Sequence, residues 1–277
     1  MMPLQRVTGR LFTYLGLGLG AIACLLPFLW QLRSSVMTMP EIFAYPPQVL
    51  PAAAQWQNYQ ETFQIIPFGR YYLNTLFLVV LNVVGTVFSN SIIAYSLARL
   101  RFKGRNLMFA LSIGTLMIPA SVTMIPTFIE WNWLGGLGTF MPLFIPAFFG
   151  NAFFIFMLVQ FFRTIPFEFD EAALMDGASY PRIIFSIILP MARPVIAVMV
   201  IFTFLNVWND FMGPLLYLND SKMFTLALGL KSLLSGYNSY WHILMAAATM
   251  VVAPLIVVFF VAQKSFIEGL TMGGIKG

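Results

Sequence analysis

Residues 71–98 read YYLNTLFLVVLNVVGTVFSNSIIAYSLA, a stretch with no Asp, Glu, Lys or Arg between Arg70 and Arg99. A helix rises about 1.5 Å per residue, so this run exceeds the roughly 20 residues that cross a hydrocarbon core about 30 Å thick. Four more charge-free runs lie between Arg10 and Arg33, Arg105 and Glu130, Glu130 and Arg163, and Lys231 and Lys264. A sixth, from Pro194 to Asn209, is long enough only if it starts near Ile187 with Arg193 snorkelling to the headgroups. The expected architecture is an all-α polytopic membrane protein with six spans, at about 11–32, 72–98, 106–129, 140–162, 187–208 and 242–263, forming one transmembrane domain.

Composition agrees with a lipid-embedded chain. Of 277 residues, 60% are hydrophobic and 9% charged, against about 25% charged in a soluble domain. A signal peptide is the competing account of the first run, because Arg6 and Arg10 precede it. The run extends to Leu32 without a clear small-residue cleavage site, which favours a retained helix. Cys24, the single cysteine, lies inside that run and has no intrachain partner for a disulfide.

Basic residues set the expected orientation, since Lys and Arg in short loops stay on the cytoplasmic side. With the N-terminus inside, eleven basic residues fall on the inner side and four, Arg33, Arg70, Lys222 and Lys231, on the outer side. Both termini are then cytoplasmic. The net charge of +5 follows from the same asymmetry and is read as membrane topology, with no nucleic-acid partner.

The informative inner segment, 162–194, reads FRTIPFEFDEAALMDGASYPRIIFSIILPMARP. Pro166 suits a helix start, and Glu168, Asp170 and Glu171 complement the positive end of the helix dipole. Ala172, Ala173, Leu174 and Met175 continue the helix, and Gly177 supplies a residue tolerant of positive φ where the chain turns. Ser179 then caps a second helix, with Pro181 in its first turn. The expected product is a two-helix knob whose apolar residues need a partner surface.

Here the chain resembles a known family. Glu171-Ala172-Ala173, Asp176-Gly177-Ala178, Phe185, Ile188, Leu189-Pro190 and Pro194 resemble the EAA loop of binding-protein-dependent ABC import permeases. Pro67-Phe68-Gly69-Arg70-Tyr71 with Asn74-Thr75, and Trp208-Asn209-Asp210-Phe211 with Pro214-Leu215, look like further motifs of the MalG-like carbohydrate permeases of maltose importers. The terminal SFIEGLTMGGIKG, Ser265 to Gly277, is similar to the tail of that group and departs from its commonest form at Met272 and Gly274.

The resemblance implies an ABC type I importer permease fold in a bacterial or archaeal inner membrane. It also implies that 163–190 is a coupling loop seated on an ATP-binding subunit, with Glu171 to Ala178, including Asp176, as the coupling residues. Glu171 would orient the knob by an ion pair or helix-end hydrogen bond. Gly177 would form the turn, and Leu174, Met175 and Ala178 the docking surface. The implied partners are a second permease subunit, two ATP-binding cassette subunits, an extracytoplasmic sugar-binding protein and the sugar itself. In the tail 264–277, Gly273, Gly274, Lys276 and Gly277 would approach the interface between the ATP-binding subunits.

The chain contains no Gly-Lys dipeptide, so the phosphate-cradling GxxxxGK[ST] loop is absent. ATP and Mg are therefore expected on partner subunits and no cofactor on this chain. One His and one Cys do not make a catalytic cluster or metal site, which excludes an enzyme reading. No ionisable group falls at an expected bilayer centre, which weighs against an ion-coupled secondary transporter. A glycerol phosphate or other polyol permease is the alternative within the class.

In the second span Thr75, Asn82, Thr86, Ser89 and Asn90 fall near one helical stripe, with Asn151, Gln160 and Asn206 elsewhere. Asn82, Ser89, Asn90, Asn151 and Asn206 are candidates for lining a sugar pathway. The plainer alternative is interhelical hydrogen bonding, worth about 0.6 kcal/mol per contact on average.

Overall fold

The computed structural model describes residues 2–234 and 240–272. The chain divides into two compact units, one formed by residues 1–68 and 230–254, the other by 69–229 and 255–277. Among the described residues four helices are long and apolar enough to cross a membrane, and six result if each of two sharply bent pairs counts as one span.

In the first unit, α1 (Met2–Ser35) carries the span Phe12–Ser35. The segment after it holds two short helices, Met39–Ile42 and Gln57–Ile65. Buried Asn58 stitches this segment to the end of α1: its side-chain amide donates to the carbonyls of Ser35 at 2.9 Å and Met37 at 3.0 Å. Glu41 receives the backbone N–H and hydroxyl of Thr38, a capping arrangement that fixes the first of the short helices.

The second unit is organised by α2 (Phe68–Arg99), the unbroken helix of the 71–98 run. It is followed by α3 (Arg105–Gly114) and α4 (Ala120–Trp133). The expected continuous span 106–129 is broken here, because the two arms of this pair meet at 102°. Pro119 is the cause: the preceding Ile118 is driven out of the helical region, to φ −86° and ψ 116°, by the proline ring.

A second run, Met141–Phe162, is interrupted at Gly150, whose φ of 92° suits only glycine, and resumes as α5 (Ala152–Phe162). The knob helix α6 (Glu168–Met175) comes next. The expected span 187–208 is broken as well. Residues Tyr180–Met191 form one arm, with a π-helical turn at Ile184–Ile188, and α7 (Arg193–Trp208) forms the other at 87°. Ala192 stands between them at φ −90° and ψ 12°. Pro190 and Pro194 flank it and cannot donate the backbone N–H bonds that would run a helix through this point.

The core of this unit gathers Tyr95 and Leu97 of α2, Leu158 and Phe162 of α5, Ala173 of α6, and Val195 and Met199 of α7. Thus the knob is packed against the ends of three spans. The last helix, α8 (Trp241–Met272), contains the span Trp241–Val261.

Candidate coupling site

The helix α6 is eight residues long and ends in a complete glycine cap. Gly177 adopts φ +75°, its N–H donates to the Leu174 carbonyl at 3.0 Å, and the N–H of Ala178 donates to the Ala173 carbonyl at 2.9 Å. These are the two bonds of a Schellman motif, with glycine at the left-handed position. Ala173 and Ala178 both join the core, which supplies the apolar contact that accompanies such a cap. At the start of the second helix Ser179 is extended, but its side chain makes no capping hydrogen bond.

The other face of α6 points outward. Glu171, Ala172 and Asp176 are exposed, Leu174 is 44% exposed and Met175 87%. Among the described residues Glu171 makes no ion pair.

The residue that anchors the knob is its neighbour, Asp170. Instead of serving the helix dipole at the surface, Asp170 is buried and accepts two bonds from α2. The Arg99 guanidinium lies 2.6 Å from its Oδ2, and the Tyr95 hydroxyl donates to its Oδ1 at 2.7 Å. Arg99 also donates to the carbonyls of Ile165 at 2.7 Å and Pro166 at 3.0 Å, and lies 5.1 Å from the centre of the Phe167 ring. A buried ion pair is stable only when its remaining hydrogen-bonding capacity is met, and here most of it is.

Sequence reasoning placed Arg99 only as a topological charge. The available signal was an acid at 170, three residues before Ala173 and so on the face that α6 buries.

The polar stripe on α2 is buried and bonded to backbone. Asn82 donates to Leu78 at 2.8 Å and Leu143 at 2.9 Å, and Ser89 donates to the Ala147 carbonyl at 2.8 Å. Asn90 donates to Thr86 and accepts the N–H of Asn151 at 2.8 Å. Asn151 in turn caps α5, its side-chain oxygen accepting from Phe153 and Phe154. These side chains bond α2 to the backbone of the stretch that leads into α5, an α-helical turn at Met141–Phe144, a 3-10 helix at Ile145–Phe149 and the break at Gly150. Of the pathway candidates, Asn151 and, on α7, Asn206 are exposed.

Asp210 is half-buried. Burial raises its carboxyl above the usual range, against the lowering effect of backbone N–H groups at Gly213 and Met212. The tail residues Gly273, Gly274, Lys276 and Gly277 lie outside the described residues.

Residues 90–271 match the model of a family described as binding-protein-dependent transport system inner membrane component. The chain belongs to this family and is a multi-pass membrane protein of the ABC permease class.

It is similar to the arabinooligosaccharides transport system permease protein AraQ of Bacillus subtilis, 36% identical over 75% of this chain and 74% of that one. It is also similar to the sn-glycerol-3-phosphate transport system permease protein UgpE of Pectobacterium atrosepticum, 30% identical over 94% and 95% of the two chains. Among solved structures it resembles a chain of a bacterial ABC transporter involved in the import of the acidic polysaccharide alginate. That likeness has a TM-score of 0.83 and 26% identity, covering 95% of this chain and 98% of the other.

Proposed function

We propose that this chain is the permease subunit of an ATP-driven sugar importer, forming half of a translocation pathway with a second permease. The observation that carries this reading is the knob itself. Its inner face is fixed to the core through Ala173, Ala178 and Asp170, while Leu174 and Met175 project from the other face. Apolar side chains displayed on a rigid cap fit a protein partner better than water.

The partner in this reading is a pair of separate ATP-binding cassette subunits, which hold ATP and Mg and perform hydrolysis. Both termini and the knob face the cytoplasm, as the distribution of Lys and Arg favours. A soluble sugar-binding protein delivers cargo at the outer side, where 210–241 is the candidate contact, and 273–277 approaches the junction of the two ATP-binding subunits. Closure of those subunits draws the knobs together, and the spans rock between outward and inward access.

A sugar is favoured over a polyol phosphate by the placement of cations. Phosphate recognition calls for Arg or Lys along the path. In the described spans the basic residues lie near the ends apart from Arg193 at the 87° joint, and Arg99 is committed to Asp170. Similarity to an arabinooligosaccharide permease supports the same choice, and similarity to a glycerol phosphate permease keeps the alternative testable.

The test is reconstitution with the ATP-binding subunits of the same system. A Leu174→Asp/Met175→Asp variant is expected to insert normally, lose its ATP-binding subunits during purification and transport no sugar. Retention of those subunits with wild-type transport would overturn the reading.

A further inference from the structure

The knob has three physical links to the membrane helices, and they differ in stiffness. Towards α5 the chain runs through Arg163–Pro166, outside any helix. Towards α7 it runs through the π-helical turn Ile184–Ile188 and then Ala192, where the helix direction changes by 87°. Helices kink and hinge at features of these kinds.

The third link is not covalent. Asp170 of α6 is held by Arg99 at 2.6 Å and Tyr95 at 2.7 Å, both on the last two turns of α2. Arg99 simultaneously grips the carbonyls of Ile165 and Pro166, the residues that lead into α6. Arg99 and Asp170 are both buried, so water does not compete for these bonds. The helix α2 beyond this point is a continuous rod from Phe68 to Arg99. Through Asn82, Ser89 and Asn90 it is bonded in turn to 143–151, where the run Met141–Phe162 tightens into a 3-10 helix at Ile145–Phe149 and is interrupted at Gly150.

We propose that Arg99, Asp170 and Tyr95 form a latch that makes the knob and α2 one rigid body. Displacement of the knob is delivered to α2, and from there to the 143–151 segment, while the Ala192 joint lets α7 take a different angle. Asp170 and Arg99 are positioning residues: they transmit movement and do not touch the ATP-binding subunit. This inference rests on the coupling reading above, but it concerns where the load goes after docking.

Spin-label distances separate the two. In a Cys24→Ala background, labels at Glu168→Cys and Val84→Cys report knob against α2, and labels at Glu168→Cys and Asn206→Cys report knob against α7. In the purified permease without ATP-binding subunits, the first pair should give a narrow distance distribution that broadens in Asp170→Asn, which preserves size and the acceptor for Tyr95. This arm is independent of docking.

In the assembled complex, ATP should change the distance from 168 to 206 and leave that from 168 to 84 unchanged. Asp170→Asn should still co-purify with the ATP-binding subunits, yet lose about tenfold or more in transport per ATP hydrolysed, a size typical of coupling free energies.

An ATP-dependent distance from 168 to 84 in the otherwise native chain would overturn the latch. So would Asp170→Asn with wild-type coupling and an unbroadened distribution. Loss of the ATP-binding subunits from Asp170→Asn would also overturn it, assigning the residue to docking. By contrast, persistence of those subunits on Leu174→Asp/Met175→Asp would sink the docking reading alone.

Discussion

Gly85 of α2 lies flat against the ring of Phe148. A β-carbon at position 85 would stand 2.7 Å from two carbons of that ring. This close approach lets the rod of α2 sit beside the 143–151 backbone, largely a 3-10 helix, to which Asn82, Ser89 and Asn90 reach across. Small residues at such crossings allow backbones to approach in the absence of any hydrophobic drive between helices.

Replacing Gly85 should therefore be costly in a way that scales with size. Gly85→Ala is expected to lose about 1–3 kcal/mol through overpacking, and Gly85→Leu more. Thermal unfolding of the purified permease in detergent checks this. Equal melting temperatures for the three proteins would contradict the contact.

Asn90 joins α2 to the start of α5 through the N–H of Asn151. In Asn90→Leu that partly buried donor is left without its acceptor, at a cost of about 1 kcal/mol. Hydrogen exchange should rise first at Asn151 and the residues after it. Unaltered protection there would show that the bond does not hold the segment.

The four long spans are legible because a long run free of Asp, Glu, Lys and Arg decides burial in lipid by composition alone. The breaks at Pro119 and Ala192 are not, because a long apolar stretch looks the same straight or bent. Only the proline before Ala120 and the pair flanking Ala192 hinted at them. At the site, the Gly177 turn is readable, since only glycine suits a left-handed cap at the end of an Ala-rich helix.

The role of Asp170 is hidden for a different reason. Its partner Arg99 is 71 residues away in sequence, and a helix N-terminus already offered a sufficient local explanation for an acid. Likewise the bonding partners of the amide stripe on α2 become visible only when the 143–151 backbone is seen beside it.

Gly177 combines a φ of +75° with open space around it, since an added β-carbon meets nothing within 4 Å. Any substitution there acts through the backbone, costing about 1–2 kcal/mol for an ordinary residue and more for a β-branched one. Gly177→Val should insert normally and lose sugar-stimulated ATP turnover in the reconstituted complex. Normal stimulation would contradict the need for this cap.

Asp210 supplies a pH dependence. Its folded-state carboxyl is raised from the ordinary value of 3.8 because burial disfavours the charge. The associated stability is fully present below that value and is lost as pH rises through the raised one. Asp210→Asn keeps an acceptor for the Gly213 N–H and removes the titration. The melting temperature of the wild type should therefore fall relative to Asp210→Asn as pH rises from about 4 towards neutral. A difference that does not vary with pH would refute this.

The most direct test of the account is cysteine crosslinking at Met175. With Cys24 replaced, a thiol placed at 175 in Met175→Cys should crosslink to the ATP-binding subunit in native membranes. It should also resist a membrane-impermeant maleimide applied from the outer side. Labelling from outside with no crosslink would contradict the claim that this knob is the seat of the ATP-driven subunits.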